Sequence, residues 1–238
     1  MPSPVPALLS YLFGDWGESS PELRKRCEDW CVSSPRFCTF AETHRDKIRK
    51  KIRTSHGVEG LRDLHLELDI AHRLLRERKL AITYEAYAAE KVRGPDFTVS
   101  YTTRCTFNVE VRRFRRPPTP ARWSDVLCDK LRQLPPSSAS LVVVGTDGSA
   151  VEFDIGQAMN HMRALAERKD AAFFARGGFT SASDFFRVFY RLSGVMLLSD
   201  WETLEKCRLD TWVNAQARHP IAPDVLTAVV RAMAPIAA

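Results

Sequence analysis

Two segments in the middle of the chain alternate apolar and polar residues with a period of two, and they lie close enough in sequence to pair. In Asp96–Tyr101, Phe97, Val99 and Tyr101 alternate with Asp96, Thr98 and Ser100; in Cys105–Arg112, Phe107, Val109 and Val111 alternate with Asn108, Glu110 and Arg112. That period sends successive side chains to opposite faces of a strand, so each segment has one core face and one polar face. The short link between them predicts a hairpin. If it turns about Thr103, Phe97 lies opposite Val109 and Asp96 opposite Glu110. Directly opposed residues share a face at about 5 Å, so two carboxylates would meet there and repel unless a proton or cation sat between them. A slip of one residue would turn one carboxylate to the other face.

The flanking sequence places this hairpin in an α/β protein. Ser20-Pro21 and Ser34-Pro35 each set a hydroxyl before a proline, which predicts helices over 21–32 and 35–54. A long amphipathic helix follows from Gly57 to about Lys79, then a strand over Leu80–Ala86 and a turn at Arg93-Gly94-Pro95. After the hairpin come a helix over Ser124–Leu134 and an apolar strand, Leu141–Val144, bounded by Gly145-Thr146-Asp147-Gly148. Residues 155–192 read as mainly helical, Gly194–Leu198 as a further strand and Pro223–Met233 as a closing helix. A mixed central sheet flanked by helices is therefore expected. The domain reading is a helical N-terminal extension over 1–56 and an α/β core with a helical C-terminal elaboration over 57–238.

The long helix adds a third acid. At about 100° per residue, Leu61, Leu64, Leu68, Ala71 and Leu75 form an apolar stripe with Glu67 on its flank. Asp63, one turn earlier, is a second choice. His65, Asp69, His72, Arg73 and Arg76 fall on the opposite side, which is expected to face water. A carboxylate beside a buried stripe needs a partner, because desolvating an unpaired charge is costly. The oxygen donors of Asp96, Glu110 and Glu67 favour magnesium or manganese over zinc.

The ordered set of a helix with Glu67, then Gly94-Pro95-Asp96-Phe97, then Val109-Glu110-Val111-Arg112, then a helix and a buried strand, resembles the PD-(D/E)XK superfamily of restriction-endonuclease-like nucleases. The resemblance covers about 90 residues. It implies a restriction-endonuclease-like fold and metal-dependent cleavage of a phosphodiester, with Mg2+ or Mn2+ held by Asp96, Glu110 and Glu67. At the position where that family carries lysine this chain has Arg112, which can offset phosphate charge but stays protonated and cannot act as a base. Lys130 and Gln133 on the following helix resemble polar residues that some members bring to the site. A catalytically degenerate fold that binds nucleic acid or protein without cutting is the alternative reading. A plainer one keeps the residues structural, with Glu110 paired to Arg112, Asp96 capping a turn and Glu67 bridging to a basic neighbour.

Charge fits a polyanionic partner. Lysine and arginine number 35 against 29 aspartates and glutamates, a mild excess concentrated in Lys47–Arg53 and in Arg112, Arg113, Arg115 and Arg116. Lys50, Lys51, Arg113, Arg115 and Arg116 are thus candidate contacts to a nucleic-acid backbone, with DNA favoured over RNA and a homodimer compatible with the sequence. No apolar run approaches the roughly 20 residues of a membrane span, so a cytoplasmic protein without a membrane partner is expected. The 6 cysteines are too sparse for a disulfide scaffold, and Cys27, Cys31, Cys38 and His44 lack the paired spacing of a zinc knuckle. Ser193-Gly194 lacks a nucleophile elbow and no phosphate-binding glycine loop occurs. The aromatic run Phe173–Tyr190 and the segment Trp212–His219 read as packing elements.

Overall fold

The computed structural model describes residues 5–14, 20–86, 94–102, 105–115, 118–148, 153–203 and 205–234. Their centre is a six-stranded mixed sheet in which spatial order follows chain order: β1 (Leu80–Tyr84), β2 (Phe97–Tyr101), β3 (Cys105–Phe114), β4 (Ala139–Thr146), β5 (Gly194–Ser199) and β6 (Arg208–Val213). The first three strands run antiparallel, β3–β4 and β4–β5 are parallel, and β5–β6 is antiparallel. The hairpin register is the expected one, with Phe97 opposite Val109 and Thr98 opposite Asn108. Each parallel step is crossed by helices: α6 (Pro120–Leu131) between β3 and β4, and α7 (Ile155–Glu167), α8 (Ala171–Gly177) and α9 (Ala182–Phe189) between β4 and β5.

Two apolar clusters, one per face, cover the sheet. On one face Tyr84, Phe97, Val99, Phe107, Val109, Leu141 and Val143 pack beneath α5 (Gly57–Arg76) and α10 (Pro223–Met233). The same cluster includes α1 (Val5–Phe13), α2 (Pro21–Ser33), α3 (Pro35–Thr43) and α4 (Arg45–Thr54), so the N-terminal helices share one core with the sheet. On the other face Phe114, Val142, Val144, Val195 and Leu197 pack against α6 to α9. β4 is buried on both sides along its whole length, as a central parallel strand requires. Gly145 lets α5 approach closely: a Cβ there would lie 2.7 Å from Leu66 Cδ2.

Several boundaries differ from the sequence reading. The helix expected over 35–54 is two helices broken at His44, whose ring packs on Phe40 and Tyr84. α6 starts at Pro120, where the Thr119 side chain accepts from the Arg122 N–H, and ends at Leu131, so Gln133 lies beyond the helix. The strand expected to reach Ala86 stops at Tyr84, and Glu85 takes a left-handed φ of 46°. β6 adds an edge strand where packing segments were expected. Arg93, in the expected turn, lies outside the described residues. No helix among the described residues is long and apolar enough to cross a membrane.

Candidate active site

Over β4 and β5 helices cover the second sheet face, but over β1 and β2 that face carries polar side chains, and the candidate site lies at the boundary. Thr98 donates to Asn108 Oδ1 at 3.1 Å and Asn108 donates to Ser138 Oγ at 2.6 Å. Glu110, next on the same face, is 2% exposed. Lys130 reaches from α6 and donates to Glu110 Oε1, while Oε2 is buried without a hydrogen-bond partner among the described residues. A buried carboxylate oxygen left without a donor loses its hydration with nothing in return, which makes this atom the least satisfied acidic position of the site.

Asp96 completes the pair. It stands just before β2, and its Oδ2 accepts the Val111 N–H at 2.7 Å. Its carboxyl is raised from the ordinary 3.8 to about 6, first by burial and then by the neighbouring Glu110 charge, against the opposing Val111 hydrogen bond and Lys51 and Lys130. The Glu110 charge therefore acts on Asp96, and its effect is repulsion.

Glu67 reaches the same end of the sheet from α5, on the opposite face. Lys51 donates to its Oε1 at 2.6 Å and also pairs with Glu85 at 2.8 Å. The Tyr84 ring lies 4.8 Å from the Lys51 amine, and its buried hydroxyl faces Glu67 without a bond of standard geometry. Burial, then the Asp96 charge, raises Glu67 to about 7, against the pull of Lys51. Burial alone would lower the Lys51 pKa, but Glu67 and Glu85 hold it well above the ordinary lysine range. Glu67 thus senses Asp96 electrostatically but is held by a lysine. Among the described residues no three His, Cys, Asp or Glu side chains are gathered as a metal-holding group.

The other expected site residues are dispersed. Arg112 is exposed and lines a shallow depression with Lys130, Trp123 and Leu127. Arg113, expected to face a nucleic acid, instead has a fully enclosed side chain ringed by Glu59, Asp63 at 2.8 Å and Asp147. Its position in β3 explains this: it shares the parity of Phe107, Val109 and Val111 and so faces α5. Asp63, the second choice for the helix acid, belongs to that network. Arg115 is half exposed and pairs with Glu59 and Asp63; Arg116 lies outside the described residues. Lys50 is exposed, and Gln133 is half-buried and bonds to Asp129. Cys27, Cys31 and Cys38 are buried free thiols, while His44 packs on Phe40 and Tyr84. Glu85 and Tyr84 are additions that the sequence reading missed; the signal was their place at the end of a strand one helix away from the lysine-rich segment.

Compared with protein-family models, curated proteins and solved structures, the chain matches none.

Proposed function

We propose that the protein is a metal-dependent phosphodiesterase acting on nucleic acid, with a restriction-endonuclease-like arrangement of its sheet. The observation that carries this reading is the Asp96–Glu110 pair: burial and then the Glu110 charge raise the Asp96 carboxyl, while Glu110 has a lysine on one oxygen and no hydrogen-bond partner for the other among the described residues. The donor set fits a hard divalent cation. Magnesium is commonly held by one or two carboxylates, completed by waters and substrate phosphate, so Asp96 and Glu110 meet its needs without Glu67. The bound ion would supply Lewis-acid polarisation of the phosphate and activation of the attacking water.

Within this reading the chain's own residues divide the work. Asp96 and Glu110 hold the ion, and the Val111 N–H fixes the Asp96 carboxylate in place. Lys130 supplies the fixed positive charge that Arg112 was expected to bring at the sheet, and stands ready to offset charge developing on the phosphate. Arg112 and Lys50, both exposed, contact the backbone of the nucleic acid, a salt-sensitive and sequence-independent role. Arg113 is excluded from that role by its enclosure.

A second reading, a binding module that does not cut, is favoured by one observation: Lys51 and Lys130 already neutralise Glu67 and Glu110. Both are tested by measuring manganese binding together with cleavage of single- and double-stranded DNA and RNA. The catalytic reading expects manganese-dependent cleavage abolished by Asp96→Ala or Glu110→Ala and lowered roughly a hundredfold or more by Lys130→Ala. Nucleic-acid binding without metal binding or cleavage, unchanged in the Asp96 and Glu110 variants, would establish the non-cutting module.

A further inference from the structure

About half a turn round α5 from Glu67, the helix lines a different polar chamber. His65, Asp69, His72 and Arg76 form one stripe of α5, the side expected to face water, but α2 and the turn after β5 flank it and form a half-open pocket of about 180 Å³. That space admits several waters or one small polyatomic group. None of Asp96, Glu110 and Lys130 lines it.

Its walls are preorganised. Trp30 of α2 stacks on the His72 ring, with centroids 5.4 Å apart and planes 20° apart, and Trp201 meets His65 edge-on at 4.9 Å. Neither imidazole has a hydrogen-bond partner among the described residues, although His65 is only 8% exposed. Burial pushes both rings down to about 4, so each is neutral near pH 7, with one N–H to donate.

Three arginines, Arg26, Arg73 and Arg76, and three acids, Asp29, Asp69 and Glu202, line the cavity, but they are not paired one to one. Asp69 is held by Arg73 at 2.6 Å, and Glu202 is gripped by Arg62 at 3.1 and 2.7 Å. Arg26 and Arg76 line the same space with no carboxylate in ion-pair range among the described residues; Arg26 makes one bond, to the Glu202 carbonyl at 3.0 Å. Asp29, the remaining acid, and Arg76 are both exposed at the rim. Asp69 acts on both guanidinium groups from a distance, but neither forms an ion pair among the described residues, and beside neutral imidazole donors they match an oxyanion that accepts many hydrogen bonds.

We propose that this cavity binds a terminal phosphate monoester or inorganic phosphate, with Arg26 and Arg76 as its counter-charges and His65 and His72 as neutral donors. The group is either a free small phosphate or the phosphorylated end of a nucleic acid. The proposal stands apart from the carboxylate site and does not depend on its chemistry.

The test is calorimetric titration in chelator-treated buffer with inorganic phosphate, and with one oligonucleotide bearing either a 5′-phosphate or a 5′-hydroxyl. Saturable phosphate binding is expected, weakened about tenfold or more in the Arg26→Gln/Arg76→Gln variant and unchanged in Asp96→Asn. Preference for the 5′-phosphorylated strand assigns a nucleic-acid end; equal affinity for the two strands assigns a free phosphate. The His65 and His72 imidazole resonances of the unaltered protein should move during phosphate titration, which keeps the test independent of how the double variant folds. Absence of saturable binding, unmoved imidazole resonances, or undiminished binding by a folded double variant would overturn the proposal.

Discussion

Glu110 and Arg113 lie three residues apart on β3, one on each face of the sheet, and both are buried charges, yet their surroundings are opposite in kind. Arg113 is over-served: Glu59, Asp63 and Asp147 surround its guanidinium, and Arg62 and Arg115 join the same carboxylates into a closed network. Glu110 is under-served, with one oxygen on Lys130, one without a hydrogen-bond partner among the described residues, and electrostatic repulsion with Asp96. A network that satisfies its charges holds structure together. A site that leaves like charges face to face stores unfavourable energy, which persists when function requires it.

That contrast is sharpest in stability. Arg113→Met should destabilise the fold by about 2–4 kcal/mol in urea unfolding, since removing the shared cation leaves three carboxylates facing one another around a buried point. A loss below the usual surface range would show that the network is ornamental and the comparison empty. Asp96→Asn should act in the opposite direction, stabilising the metal-free protein at pH 8 by about 1–3 kcal/mol, because it removes a carboxylate that the fold resists ionising.

The same sign governs pH. Asp96 and Glu67 have folded pKa values of about 6 and 7, above their ordinary 3.8 and 4.5. The folded protein therefore keeps protons that the unfolded chain releases, and this contribution to stability is present below about pH 4 and is lost as pH rises through 6 to 7. Unfolding midpoints measured across that window should show a fall that is shallower in Asp96→Asn; a slope identical in both proteins would deny the repulsion at the pair. The smallest effect is expected at the exposed cations. Lys50→Ala should weaken nucleic-acid binding by no more than about 1 kcal/mol and lower its salt dependence by about one counterion, whereas Arg113→Met, in protein that remains folded, should leave that slope unchanged.

How far the sequence disclosed this arrangement depends on which physical signal each element carries. The hairpin register was legible because a two-residue period and a short link leave little freedom, and Phe97 pairs with Val109 as expected. The start of α6 was equally legible in Thr119-Pro120, the same hydroxyl-before-proline signal as Ser20-Pro21, yet the arginine- and proline-rich stretch around it masked the cap. β6 was hidden because an edge strand is largely exposed and need not be apolar; Arg208 and Asp210 break up its strand-forming residues. The covered stripe of α5 was misread for a different reason. Helical periodicity identifies the face packed on the sheet, but it carries no information about a second layer arriving from α2 and Trp201. Arg113 illustrates the same limit, since a charge run in sequence divides between two faces once it enters a strand.

Manganese binding followed by electron paramagnetic resonance tests the central claim most directly, because it reads the Asp96–Glu110 pair without requiring a substrate. One saturable ion per chain is expected, with affinity falling as pH drops through about 6 and lost in both Asp96→Asn and Glu110→Gln, while Glu67→Gln retains it. A folded protein that binds no manganese, or binds it equally well without Asp96 and Glu110, would contradict the account.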